Sequence, residues 1–215
     1  SGKSTIARLI PRFYEPTAGR ILVDGQDIAQ VSITSLRQAI GGVQQDPFLF
    51  TASVDHNVAY ADPSTNLDQI VQASTDAQIH SFIEELPRRY QTLVGEDGVS
   101  LSGGQRQRVF VARALAQEAE ILLLDEAFSG VDVASQESLV AILRDLRDEG
   151  TTILLVTHDL TGMAQRLDAC LCLNRHVCCY GPPEEAFTPE VLQELYGPHG
   201  LNSLNVERAH DGHLH

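Results

Sequence analysis

Apolar and polar positions alternate with two different periods along this chain. Ile121-Leu-Leu-Leu-Asp125 is a short continuous apolar run that ends on two acids, Asp125 and Glu126. A run of that length bounded by polar residues predicts a fully buried parallel strand. From Val133 to Asp148 the apolar residues fall at Val133, Leu139, Val140, Ile142, Leu143 and Leu146, which is helical spacing. Thr152–Thr157 predicts a second buried strand and Leu160–Leu167 a helix. Strands follow at Ala169–Leu173 and Val177–Tyr180, on either side of Asn174-Arg175, and a last helix at Pro189–Tyr196. Nearer the start, GRILVDG (Gly19–Gly25) predicts a strand entering a turn. Ser35–Ile40 predicts a short helix and Gly41–Gln44 another strand. Asp46 to Gln117 reads as mostly helical, broken at Asp62-Pro63 and Pro87.

Strand and helix thus alternate in the outer thirds, and helices dominate the middle. The expectation is an α/β core, 1–45 and 119–197, with an inserted helical subdomain over 46–118. The tail from 198 to 215 has no periodicity and is expected to be mobile. The length of 215 residues and the 43% apolar content suffice for one compact domain with a real core. The net charge of −14 argues against nucleic acid as a partner, since phosphate neutralisation needs clustered Lys and Arg. No apolar run is long enough to span a bilayer, and no signal peptide is visible. The chain starts at Ser1, inside a motif, and is expected to be an N-terminally truncated piece of a longer protein.

The candidate chemistry is phosphate chemistry. Ser1-Gly2-Lys3-Ser4-Thr5 matches the second half of a phosphate-binding loop, whose backbone N–H groups at a helix start cradle phosphates. Gly2, Lys3, Ser4 and Thr5 would bind nucleotide, with Lys3 reaching the β- and γ-phosphates and Ser4 holding Mg²⁺. Lys3 is the only lysine among 15 basic residues. Asp125 would hold Mg²⁺ from the C-terminal edge of the sheet, and Glu126 would orient or deprotonate the attacking water. Gln45 and His158 each follow a predicted strand and place an amide and an imidazole at strand ends near the same pocket. Leu101-Ser-Gly-Gly-Gln105 is a second anion-binding element: two glycines admit close backbone approach, Ser102 donates a hydrogen bond, and a helix starts near Gly104. One nucleotide cannot easily use both elements of one chain, so two chains head to tail are the sensible geometry.

GKST, Gln45, LSGGQ, ILLLDE, Ser129-Gly-Val-Asp132 and His158 occur in the order and spacing of the ATP-binding cassette of ABC transporters, which residues 1–197 resemble. The resemblance implies a P-loop NTPase (RecA-like) fold and an ATPase that powers solute transport. It implies ATP and Mg²⁺ as ligands, and a dimer in which Ser102, Gly103, Gly104 and Gln105 of one cassette close over the ATP of the other. Glu126, His158 and Gln45 would be catalytic, with Gln45 also at the Mg²⁺ and reporting to the membrane part. Asp132 would contact the partner cassette. A transmembrane domain or permease subunit is the expected partner, and the cytoplasmic face of a membrane the expected location. The aromatic residue that stacks on adenine in many members lies upstream of the phosphate loop and is missing here.

Residues 1–110 are similar to multidrug and lipid exporters, through FYEPTAGRILVDG, DPFLFTASVDHNV and TLVGEDGVSLSGGQ; the Val94–Gly98 stretch implies contact with intracellular loops. Residues 121–200 are similar to ATPase subunits of manganese and zinc importers, through LDEAFSGVDVASQESL and LCLNRHVCCYGPPEEAFTPEVLQELYG. Exporter-type coupling is favoured, because the surface that meets the membrane domain lies mainly between Gln45 and Gly98. The importer subunit is the alternative, and a soluble cassette ATPase not coupled to transport is the reading from another class. Cys170, Cys172, Cys178 and Cys179 lack the spacing of paired zinc ligands and read as buried strand cysteines. His210, His213 and His215 in the tail are candidate Zn²⁺ or Mn²⁺ collectors at a spacing too loose to specify a site.

Overall fold

The structure, a computed structural model, describes residues 2–43, 48–96, 98–128, 132–157 and 167–196. It divides into two compact units, Thr5–Thr157 and Ser1–Ser4 with His158–His215.

The larger unit is built on three parallel strands, β3 (Ile40–Val43), β6 (Ile121–Asp125) and β7 (Thr152–Val156), with β6 in the centre. The apolar run of β6 is split between two faces by the two-residue period of a strand. Leu122 and Leu124 are fully buried in a large cluster with helix residues such as Val111, Leu139 and Ile142. Leu123 packs on the other side with Ala7, Leu36, Ile40 and Val156. A strand covered on both faces has no use for polar side chains, which is why the run is continuous. β7 is paired on one side only among the described residues, and Ile153, Leu154 and Leu155 are half-buried where full burial is predicted.

Helices α1 (Lys3–Leu9) and α2 (Ile33–Ala39) precede β3, with the hairpin β1 (Leu22–Val23) and β2 (Gln26–Asp27) between them. That hairpin turns on Asp24-Gly25, both with positive φ (49° and 76°), as a two-residue turn requires. The middle segment forms α3 (Val54–Val58), α4 (Leu67–Asp76), α5 (His80–Glu85) and α6 (Gly103–Ala116). It also carries a small antiparallel pair, β4 (Ala52–Ser53) with β5 (Leu93–Val94), that the helical reading omits. Arg113 of α6 ties this segment together. Its Nε donates to the Asn57 carbonyl at 2.7 Å, and its guanidinium lies over Phe110, Tyr60 and Phe50 at 4.3, 5.3 and 5.7 Å. Burial lowers the Arg113 pKa to about 10, so it stays charged at neutral pH.

α6 packs on β3 at Gly41. A Cβ there would lie 2.4 Å from the Ala114 Cβ and 3.1 Å from the Ala119 Cβ, so glycine is what allows the helix to lie this close to the strand. Past α6 the chain closes with Glu118 N–H donating to the Leu115 carbonyl (2.9 Å) and Ala119 N–H to the Ala114 carbonyl (3.2 Å). This is a Schellman closure, with Glu118 at φ 55° in the place glycine usually takes. The side-chain amide of Gln117 donates to the carbonyls of Ile40 (3.0 Å) and Gln38 (3.2 Å), fastening the helix end to the start of β3.

In the smaller unit, β8 (Cys170–Leu173) and β9 (Val177–Gly181) form an antiparallel hairpin through Arg175 (φ 63°), followed by α8 (Pro183–Ala186) and α9 (Pro189–Tyr196). Cys170 and Cys172 are buried with Ala186 against Phe187, Val191 and Leu195. Cys178 and Cys179 are half-buried, where the sequence pattern predicts four buried thiols. The predicted helix at Leu160–Leu167 and the tail from 198 fall outside the described residues, apart from Leu167.

Gly41→Ala is expected to destabilise the protein by about 1–3 kcal/mol through overpacking, whereas Gly42→Ala, with nothing within 4 Å of its Cβ, is expected to be near neutral; urea unfolding compares the two. Burial pushes the Cys172 thiol up to about 11, so its proton is held longer in the folded than in the unfolded chain. Its contribution to stability is therefore present below the unfolded value of about 8.5 and lost as pH rises towards 11. Thermal melts between pH 8 and 11 are expected to fall less steeply in Cys172→Ala than in the parent.

Candidate functional site

Lys3, Ser4 and Thr5 form the first turn of α1, where backbone N–H groups have no intrahelical acceptor. Gly2 immediately precedes them. Gly2, Ser4 and Thr5 are exposed and Lys3 is half-buried. The turn contains no acid, so nothing on it opposes an anion.

Asp125 is the last residue of β6, and both Asp125 and Glu126 are half-buried. The carboxylates therefore leave the sheet at its C-terminal edge, as the sequence predicts. Glu126 has φ 51°, a left-handed conformation that costs a residue with a side chain on the order of 1–3 kcal/mol. Its N–H donates to the Val156 carbonyl at 2.8 Å, across from the last register pair of β6 and β7, Asp125 and Val156. That bond holds the turn, and with it the direction in which the Glu126 side chain departs.

Ser102 is the N-cap of α6. Its Oγ accepts from the Gln105 N–H at 3.2 Å, and the Gln105 Oε1 accepts from the Ser102 N–H at 2.9 Å, a reciprocal capping box. The S-x-x-Q spacing could have revealed this box, which the sequence reading passes over in favour of ligand contacts. The box leaves the Ser102 hydroxyl proton and the Gln105 side-chain NH₂ available as donors. The N–H groups of Gly103 and Gly104 lead the helix, which begins one residue earlier than expected. A 14-residue helix adds the positive end of its dipole there.

Asp132 is the N-cap of α7 (Val133–Asp148) and accepts from the Ser135 N–H at 3.0 Å. Hydrogen bonds from Ser135, side chain first and backbone second, hold this exposed carboxyl below the usual carboxylate range. Capping α7 is a role that the sequence reading, intent on a partner contact, does not give it. Gln45 and His158 lie outside the described residues, as do Ser129–Val131. Within the larger unit the fold brings the capped end of α6, the acidic end of β6 and the start of α7 onto one framework.

The model of the ABC transporter family matches residues 1–129. The chain belongs to the ABC transporter family. The cassette is an α/β P-loop NTPase fold that binds ATP. It is 46% identical over 164 residues, 76% of the chain, to the ATM1-type heavy metal exporter of Novosphingobium aromaticivorans, of which it covers 27%. It is 46% identical over 160 residues, 74% of the chain, to the ATP-dependent lipid A-core flippase of Syntrophus aciditrophicus, covering 26% of it. To the cyclolysin secretion/processing ATP-binding protein CyaB of Bordetella pertussis it is 42% identical over 181 residues, 84% of the chain and 24% of that protein. The solved structure of a bacterial Atm1-family ABC exporter with ATP bound superimposes with a TM-score of 0.77 at 41% identity, over 85% of this chain and 32% of that one. The cassette thus spans between about a tenth and a third of the proteins it matches.

Asp132→Ala is expected to lower the thermal midpoint, and Asp132→Asn to restore most of it, because asparagine caps as well as aspartate. Because the carboxyl is held below its ordinary pKa, the cap's contribution is complete above the unfolded value of about 3.9 and is lost as pH falls through the lower folded value. Melts of the parent and Asp132→Ala are therefore expected to converge at acid pH.

Proposed function

We propose that the chain is the ATP-hydrolysing cassette of an exporter-type ABC transporter and works as a dimer beneath a membrane domain. The observation that carries this reading is the presence, in the larger unit, of both an anion-ready helix end at Ser102–Gln105 and an acidic strand end at Asp125-Glu126. The relatives named for export of heavy metal, lipid A-core and cyclolysin support the direction of transport. The cargo differs among them, so it is set by parts other than the cassette. Among the described residues no helix is long and apolar enough to cross a membrane. The exposed Phe48 packs edge-on against Phe50, which stacks on Tyr60, presenting aromatic surface in the segment where exporter-type coupling is expected.

In this reading Lys3 neutralises the β- and γ-phosphates, while the N–H groups of the α1 turn cradle them. Ser4 and Asp125 offer hydroxyl and carboxylate oxygens, the hard donors that Mg²⁺ takes, and they fit that ion. Bound there, Mg²⁺ would supply charge neutralisation of the phosphate oxygens. Glu126, aimed by its fixed turn, orients the attacking water and accepts its proton. Ser102, Gly103, Gly104 and Gln105 of the opposing cassette donate to the γ-phosphate and stabilise the charge that develops on it. Gln45 and His158, which lie outside the described residues, are assigned to the same site by their motifs, and Asp132 to the partner cassette.

Glu126→Gln in the complete transporter is expected to cut turnover by at least about 100-fold while ATP still induces dimers. Phosphate release and size-exclusion chromatography of the cassette in MgATP read the two effects. Retained turnover, or monomers at saturating MgATP, would count against the assignment. Lys3 is the single side-chain amine, so ATP is expected to block amine-selective labelling at that position. Labelling indifferent to ATP would remove Lys3 from the site.

A further inference from the structure

The smaller unit places three metal-binding side chains together that have no part in nucleotide chemistry. His176 ends the hairpin turn, just before β9, and Cys178 lies two residues on, where the strand pairing shifts register. Glu194 comes from the last turns of α9. The His176 Nε2 lies 2.8 Å from the Glu194 Oε1 and 3.9 Å from the Cys178 Sγ, and all three ligand atoms fall within 4.8 Å of one another. Asn174 secures the geometry from the other side of the turn, its Nδ2 donating to the Glu194 carbonyl at 2.8 Å.

The geometry points to a zinc site at His176, Cys178 and Glu194, with one coordination position open to solvent. Zinc bonds of about 2.0–2.3 Å in a tetrahedron separate the ligand atoms by roughly 3.3–3.7 Å. The imidazole and thiol already stand close to that spacing. The cation takes the place of the hydrogen between His176 and Glu194 and of the Cys178 thiol proton, which passes to solvent; the carboxylate moves about half an ångström from the imidazole and up to about one ångström towards the thiol. A thiolate, an imidazole and a carboxylate together select zinc or cobalt over Mg²⁺ and Mn²⁺, which prefer all-oxygen sets. The neighbouring thiol is engaged elsewhere: the Cys179 Sγ approaches the Glu185 carbonyl at 3.7 Å. Cys172, at 3.8 Å from the Ala186 carbonyl, is buried in the apolar cluster. His176 and Glu194 are accessible, with side chains 62% and 47% exposed, so a cation reaches them without unfolding. Bound zinc joins the hairpin to α9 and stabilises the C-terminal unit by mass action.

Titration of the reduced full chain with Co²⁺ tests the site. One equivalent is expected to bring up thiolate-to-cobalt charge transfer and the intense visible bands of tetrahedral cobalt, both abolished by Zn²⁺. Cys178→Ser is expected to lose the charge transfer, and His176→Ala and Glu194→Gln to weaken binding at least tenfold. Cys179→Ser, or replacement of His210, His213 and His215 together by alanine, is expected to leave the spectrum unchanged. A thiolate band that survives Cys178→Ser, that disappears with the tail histidines, or that never forms in the parent overturns the assignment. A second measurement needs no variant: Zn²⁺, but not Mg²⁺, is expected to slow alkylation of Cys178 at least tenfold and to spare Cys179, as read by peptide mass analysis. Equal rates with and without zinc would also overturn it.

Discussion

The close approach of α6 to β3 is the constraint on which the larger unit depends. One helix carries the Ser102–Gln105 element at its start and the Ala114 contact with Gly41 near its end. Interiors pack at crystal-like density, so a helix seated on a strand without a side chain between them cannot shift by much. The Schellman closure at Glu118 and the Gln117 bonds to the Gln38 and Ile40 carbonyls hold the same end against sliding. β3 in turn pairs with β6 in parallel register, so the position of the Ser102–Gln105 helix end is set through the strand next to the one that carries Asp125.

Around that framework, local chemistry is used twice. Ser102 and Gln105 first complete the backbone of their own helix and keep further donors beyond it. Asp132 first caps α7, and its carboxylate keeps its charge because Ser135 holds it. Economy of this kind is physical: a polar side chain fixed by a backbone hydrogen bond loses little further entropy when a ligand arrives. Glu126 follows the same logic at higher cost, with a left-handed backbone whose N–H donates to the Val156 carbonyl. Strain of this sort survives only where the surrounding structure over-determines it, here through the β6–β7 ladder.

The C-terminal unit obeys a different rule. Its hairpin buries Cys170 and Cys172 as small apolar residues, and Cys178, half-buried at the edge of the same cluster, lies beside His176 and Glu194. Four cysteines in ten residues thus have different environments, decided by the register of the hairpin and by the helices packed on it.

Much of this was legible in the sequence. The β6 run, the bounds of α7 and α9, the Asp24-Gly25 turn and the strand positions around Asn174-Arg175 follow from periodicity and turn chemistry, which are local. The order of GKST, LSGGQ and LLLDE carried the family. The capping box at Ser102 and Gln105 was readable as well, since S-x-x-Q acts within one turn. What tertiary structure decided depends on contacts between residues far apart in the chain. Gly41 is an ordinary strand glycine until Ala114 arrives above it. The half-burial of β7 depends on how many neighbours the sheet supplies. Glu194 lies sixteen residues beyond Cys178 on a helix, a spacing that no ligand pattern contains, and only the packing of α9 on the hairpin puts its carboxylate beside an imidazole and a thiol. Sequence determines local geometry because neighbouring residues share a backbone; the meeting of distant side chains is settled by packing alone.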